Sequence, residues 1–399
     1  MPDHPEGRLS PPEPFTGRRP SLALLVAVTM TGTVALHIFI PALPGVGREL
    51  GASPATVQLT ITLYLAGLAV GQLVYGPLSD RFGRRPVLIG SLCLYLAGFL
   101  LAIPATAIGA LIGARVLQSL GACGALVLGR AMVRDVSTSE DAAKKLAILI
   151  TCLTLTPTLA PGFGGLIDAW LGWRAIFVVL AVVVGTLLAI VLLTLPETNL
   201  SRTDPGLRPV FATYARLLRS GKFRHYLWAG SCSGTSVYAF LAVAPFLYVD
   251  MLHRSAQEVG LFCVIVSIGM AVGAALVRFL VGRMEVRRGA RLGNFISVGA
   301  AALLLLLDVA GGITTATLTG AMLVYALGTG IGGPNIVAGA MNVEPGAAGS
   351  ASGLYGFTQM AFGALFTLAV GLWHDGTALP LAAVLLFASV SGSVALHRV

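Results

Sequence analysis

Gly76-Pro77-Leu78-Ser79-Asp80-Arg81-Phe82-Gly83-Arg84-Arg85-Pro86 is a basic, turn-forming stretch in a chain that is otherwise almost all apolar. Its glycines and prolines suit a tight turn, and Asp80 stands where the preceding helix closes. Arg81, Arg84 and Arg85 separate one long apolar run from the next. A short charged turn between two such runs is the pattern of a membrane hairpin. The fold therefore depends on whether the rest of the chain repeats it.

Composition agrees. Of 399 residues 56% are hydrophobic and 11% charged, with a mean hydropathy of +0.86. So little charge could not keep the surface of a soluble domain wet. Five cysteines (Cys93, Cys123, Cys152, Cys232, Cys263) all fall inside apolar runs, which indicates neither a disulfide framework nor a metal motif. Residues 1–20 are rich in Pro and Arg and read as a short disordered tail. The following run, Leu22–Ile40, is too long for the apolar core of a signal peptide.

Runs of ~20 apolar residues mark membrane helices. They fall near 21–43, 55–78, 86–104, 107–131, 143–167, 172–195, 224–249, 257–281, 290–310, 314–341, 347–373 and 378–396. An even number puts both termini on one side. With that side cytoplasmic, 22 of the 26 basic residues lie inside. Arg48, Arg174 and Arg254 lie outside and Arg115 within a span. The positive-inside rule then selects this orientation. The same asymmetry explains the net charge of +9 without nucleic acid, so anionic lipid headgroups are the expected partner. The longest inner loop, 196–223, divides the chain into 21–195 and 224–399. Pro41 and Pro245, and Arg84 and Arg288, share one offset of 204 (245 − 41 and 288 − 84), which points to an internal repeat.

Two helices carry unusual residues. An Arg inside a span costs ~2.5–3.5 kcal/mol on insertion scales, so Arg115 must face protein or water. Gln118 lies one turn away on the same side, and Gly121, Gly124 and Gly129 allow close helix contact. In the fifth span, Pro157 and Pro161 remove backbone donors and bend the helix, while Gly162, Gly164 and Gly165 let it pack tightly.

These stretches resemble the major facilitator superfamily. Gly76–Pro86 looks like its loop 2–3 signature, and Arg115-x-x-Gln118 resembles its fourth-helix pattern, although Ser119-Leu120 precede the glycine here. Pro157-Thr158-Leu159-Ala160-Pro161-Gly162-Phe163-Gly164-Gly165 is similar to the fifth-helix signature of drug/proton antiporters, with Ala160 replacing a glycine. Together with Gly172-Trp173-Arg174, Gly332-Gly333-Pro334-Asn335 and Gly356-Phe357-Thr358-Gln359, it points to the bicyclomycin/chloramphenicol-resistance branch. The resemblance implies an all-α integral membrane protein of twelve transmembrane helices in two six-helix bundles with pseudo-twofold symmetry. It implies a gate formed by Gly76, Asp80, Arg81, Gly83, Arg84 and Arg85, with Asp80 facing the N-terminus of helix eleven. Pro157, Pro161, Gly164 and Gly165 would seal the opposite side. It implies that Arg115 takes part in proton coupling near the substrate cavity, in a monomer of the bacterial inner membrane.

One departure matters. Branch members commonly place an Asp just before the first-helix Pro, but here the run is His37-Ile38-Phe39-Ile40-Pro41, and helix one holds no Asp or Glu. His37 is protonatable, with a reference pKa of about 6.5. It either carries the coupling proton or is a neutral His bonded to backbone. Asp308 is a weaker alternative. Candidate substrate contacts are Phe39, Gln58, Tyr64, Gln118, Tyr238, Phe240, Asn335, Tyr355 and Gln359, each with packing as its plain alternative. Aromatics with few fixed charges suit amphipathic small molecules.

The expected function is export of small amphipathic drugs in exchange for protons, or else transport of a single metabolite. No cofactor or metal is expected. An enzyme finds no support, because the six histidines are scattered and no activated nucleophile appears. A nucleotide-driven pump finds none either, since the chain has no phosphate-binding Gly-x-x-x-x-Gly-Lys-Ser/Thr loop.

Overall fold

A computed structural model describes residues 20–199, 207–280, 285–344, 347–373 and 375–399. The expected tail, apart from Pro20, lies outside the described residues. So do 200–206 of the expected linker and Arg283 of the second basic loop.

Among the described residues, twelve helices are long and apolar enough to cross a membrane. Numbered one to six in order, they are Leu22–Glu49, Pro54–Phe82, Arg84–Ala102, Ile108–Asp135, Lys144–Leu171 and Trp173–Thr194. Helices seven to twelve are Gly221–Met251, Ala256–Val277, Val286–Val309, Thr315–Met341, Gly349–Leu372 and Leu379–His397. Among the described residues there is no strand. The chain is a multi-pass, all-α membrane protein, in which each helix satisfies its own backbone where lipid cannot. Leu193, Leu306, Val309 and Phe295 point outward, as lipid-facing apolar residues do.

Proline sets the irregularities. Helix one is regular over Leu22–His37, tightens into a 3₁₀ turn at Ile40–Ala42 and resumes at Leu43–Glu49. Pro41 and Pro44 each remove a donor there. Helix seven holds Pro245 just before a π-turn at Leu247–Met251. The two prolines that share the 204-residue offset thus both sit beside a break in the first helix of their half.

Close approach between helices rests on glycine, as expected for helix four. A Cβ at Gly121 would lie 2.6 Å from the Ser91 carbonyl oxygen of helix three. At Gly129 it would overlap the Thr29 hydroxyl of helix one. The two halves meet along two seams, helix two against helix eleven and helix five against helix eight. On the first, the Thr62 and Thr367 hydroxyls hydrogen-bond at 2.8 Å. Between the halves a linker helix, Leu207–Arg219, is tied to the end of helix ten by Arg216 and Glu344 at 2.8 Å.

Candidate transport site and gates

The regular part of helix one ends at His37, whose ring lies among residues of both halves. Its Nδ1 lies 2.8 Å from the Thr33 carbonyl oxygen. A carbonyl can only accept, so Nδ1 carries a proton, and Nε2 is the nitrogen left to gain or lose one. The ring lies 6.2 Å from that of Tyr238 in helix seven. His37, Pro157, Tyr238 and Ser267 line a common cavity of about 70 Å³, two from each half. Both readings of His37 thus find a feature here: a backbone hydrogen bond on one nitrogen and a cavity at the half-to-half seam.

Arg115 is fully buried (0% exposed). Its Nη1 donates to the Ala35 carbonyl at 3.2 Å and to Gln118 Oε1 at 2.8 Å. Gln118 in turn donates to the Gly98 carbonyl at 3.0 Å. The guanidinium carbon lies 4.2 Å from the centre of the Tyr64 ring and 5.1 Å from that of Phe39. Tyr64 donates to the Gly32 carbonyl at 2.9 Å and Tyr95 to the Thr31 carbonyl at 2.8 Å, which fixes both phenols against helix one. Phe39, Tyr64, Arg115 and Gln118 therefore form one cluster, with His37 two residues beyond Ala35.

The other proposed contacts are placed differently. Gln359 aims at Gly234, which lines the His37 cavity. Phe240 is buried in the main core. Gln58 sits against Gly371 at the far end of the seam between helices two and eleven, with both amide atoms lacking a hydrogen-bond partner. Asn335 turns toward Gly289 of helix nine and donates to its own helix at Ile331. Tyr355 packs against Gly230 in a second core cluster. Asp308 accepts from the Ala378 N–H at 3.0 Å and so caps helix twelve.

Arg84 and Arg85 are stapled to the ends of helices four and six and to the chain just after helix six. Gly83 takes φ +99°, a conformation that favours glycine, and ends helix two while starting helix three. Arg84 reaches Asp80 at 2.6 Å and Asp135 at 3.0 Å. Its backbone N–H and that of Arg85 donate to the Glu197 carboxylate at 2.9 and 3.2 Å. Glu197 therefore caps helix three, where the dipole favours an anion. Arg85 donates to the Leu192 carbonyl at 2.9 Å, and Arg81 lies 5.3 Å over the Phe82 ring. Gly76, Asp80 and Arg84 line a cavity of about 280 Å³ whose other wall is Gly349, Ser350 and Ser352 at the start of helix eleven. The Asp80 carboxylate is taken up by Arg84, with that helix start across the cavity.

On the second seam, Pro157 and Pro161 face helix eight. A Cβ at Gly164 would overlap the Ile38 carbonyl of helix one, and one at Gly165 would lie 2.9 Å from the Ala256 carbonyl oxygen. Ser267, Asp135 and Glu197 were not singled out from the sequence. Asp135 and Glu197 carried a faint signal, as acids at inner helix ends among many bases; Ser267 carried none.

The sequence profile of the Major Facilitator Superfamily matches residues 22–367. An uncharacterised MFS-type transporter of Bacillus subtilis (strain 168) is 31% identical over 95% of this chain and 96% of its own. The chloramphenicol resistance protein of Pseudomonas aeruginosa is 31% identical over 72% of this chain and 68% of its own. Multidrug resistance protein D of Escherichia coli (strain K12) is 29% identical over 89% of each. Among solved structures, a D-xylose-proton symporter superposes with a TM-score of 0.75, covering 94% of this chain and 95% of its own at 14% identity. With its twelve spans and its two seams between halves, the chain belongs to the Major Facilitator Superfamily.

Proposed function

We propose that this transporter exports small amphipathic, drug-like compounds in exchange for protons by alternating access. In this reading it sits as a monomer in a bacterial inner membrane, with both termini cytoplasmic. The observation that carries the reading is the placement of His37 at the broken end of helix one, in a cavity walled by both halves. A group that changes charge there can bias which side the halves open to. Resistance proteins among its relatives support drugs as cargo. Helices five and eight, and two and eleven, supply the two gates. Each proton moving inward gains ~2.3 kcal/mol per 100 mV of potential.

The test has two steps. Expression in an efflux-deficient strain should raise tolerance to chloramphenicol-type or bicyclomycin-type compounds, and a protonophore should abolish the gain. In proteoliposomes, His37→Ala should lose proton-driven transport of the same compound. Unchanged proton-coupled transport in that variant removes His37 from the mechanism, and a drug panel with no protected member removes the export reading.

A further inference from the structure

We infer that the cargo is an organic anion, held by its carboxylate on the Nε–Nη2 edge of Arg115. The inference rests on the reading of this cluster as the cargo site. Arg115 spends Nη1 on two protein acceptors, Ala35 and Gln118. Nε and Nη2 are buried and have no hydrogen-bond partner. Those two nitrogens form the side edge of the guanidinium, with N–H bonds pointing the same way. That is the edge on which a carboxylate makes two parallel hydrogen bonds. Phe39 and Tyr64 lie beside the same group, so an aromatic or aliphatic body attached to the carboxylate meets apolar surface.

The protein does not neutralise this charge itself. No ion pair among the described residues involves Arg115. Every described Asp and Glu lies in a loop or within about one turn of a helix end, so the membrane interior holds a cation without a resident anion. Helix one, which passes closest to the guanidinium through the Ala35 carbonyl, carries no acid before its last residue, Glu49. An unpaired buried charge is costly, and a cargo that brings the counter-charge recovers that cost on binding. The approach agrees in sign. The cavity at the loop 2–3 face is lined by Arg84, Arg130 and Arg134. Asp80 and Asp135 both pair with Arg84, so the positive excess rests on Arg130 and Arg134, and Arg130 Nε also lacks a partner. Such a mouth concentrates anions. An anion leaving a negative interior is also driven outward by the membrane potential, which adds to the drive from any proton exchanged for it.

The experiment uses the full chain in nanodiscs and three probes of one shape: 2-naphthoate, 2-naphthamide and 2-naphthylmethylammonium. Binding to wild type should be at least tenfold tighter for the carboxylate than for the amide, and weakest for the ammonium. Arg115→Gln should abolish the preference, and Arg115→Lys should keep part of it, a point charge without the fork. A monodisperse elution profile for each variant separates lost binding from lost folding. Carboxylate binding no tighter than amide binding overturns the inference, as does a preference that survives in Arg115→Gln. Drug tolerance measured in the same strains reads the export reading separately. Cells protected against neutral compounds by a protein with no charge preference would keep that reading and discard this one.

Discussion

The Ser267 hydroxyl donates to the Pro157 carbonyl oxygen at 3.0 Å, across the seam between the two halves. The bond follows from the sequence of helix five. Residue 161 would ordinarily donate to the carbonyl four residues back, but it is proline, so the Pro157 carbonyl has no helical donor. Ser267 of helix eight supplies one. Pro161 thus bends helix five and also exposes the acceptor that ties the halves together.

Ser267→Ala should therefore weaken the seam between helices five and eight. A hydrogen bond of this kind contributes about 1 kcal/mol, which is roughly a fivefold change in a two-state population. Spin labels at Leu171 and Arg254, at the end of the seam, should report a larger long-distance population. Ser267→Thr keeps the hydroxyl and should report the wild-type distribution. Identical distributions in the Ala and Thr variants would remove the bond from the gate.

Glu197 bonds the N–H groups of Arg84, Arg85, Thr198 and Asn199, and so joins the end of helix six to the start of helix three. Glu197→Ala orphans the first donors of helix three and should destabilise the first half by about 2 kcal/mol. Glu197→Gln keeps one acceptor oxygen and should cost about half as much. The midpoint of unfolding in mixed micelles titrated with sodium dodecyl sulfate reads this order. A Gln variant as unstable as the Ala variant would contradict the capping account.

Arg84 divides its donors, Nη1 to Ser79 and Asp80 and Nε to Asp135. A lysine has the charge without the fork. Arg84→Lys should lose about 1.5–3 kcal/mol, the range for hydrogen bonds to charged groups. A cysteine placed at Ser352, across the cavity, should then react faster with a water-soluble maleimide. An unchanged rate would mean that the loop does not hold this face shut.

How far the sequence reached can be judged from particular residues. Lipid demands long apolar runs, so all twelve spans were legible, but their ends were not. Helix four runs on to Asp135 and helix three starts at Arg84, because ion pairs and caps at the surface extend helices past the hydrocarbon. Phe39, Tyr64, Arg115 and Gln118, each singled out in the sequence, lie in one cluster, whereas His37 turns toward Tyr238 and the cavity between the halves. Gln58, Asn335 and Tyr355 were read as facing one cavity, whereas each turns to a glycine of a neighbouring helix. Helical periodicity tells which residues share a face and leaves open which helix that face meets. Glu197 and Asp135 lie 113 and 51 positions from Arg84, and nothing local announces such partners.

The Thr62–Thr367 pair allows a sharper prediction because its donor can be assigned. The Thr367 hydroxyl donates to the Ala364 carbonyl at 2.9 Å, so its one hydrogen is used. Thr62 must then donate across the seam, and Thr367 Oγ1 accepts at 2.8 Å. The two valine substitutions are nearly isosteric and are not equivalent. Thr62→Val removes the donor and leaves Thr367 with its own backbone bond. Thr367→Val leaves the Thr62 hydroxyl hydrogen buried without its acceptor, and an orphaned buried donor costs about 1–3 kcal/mol. Thr367→Val should therefore be the more destabilising single change. The double variant should cost less than the two singles together, since nothing is left to orphan. A double-mutant cycle on micellar unfolding midpoints reads both statements. Equal single effects that simply add would show that the seam is held by packing, with no contribution from this bond.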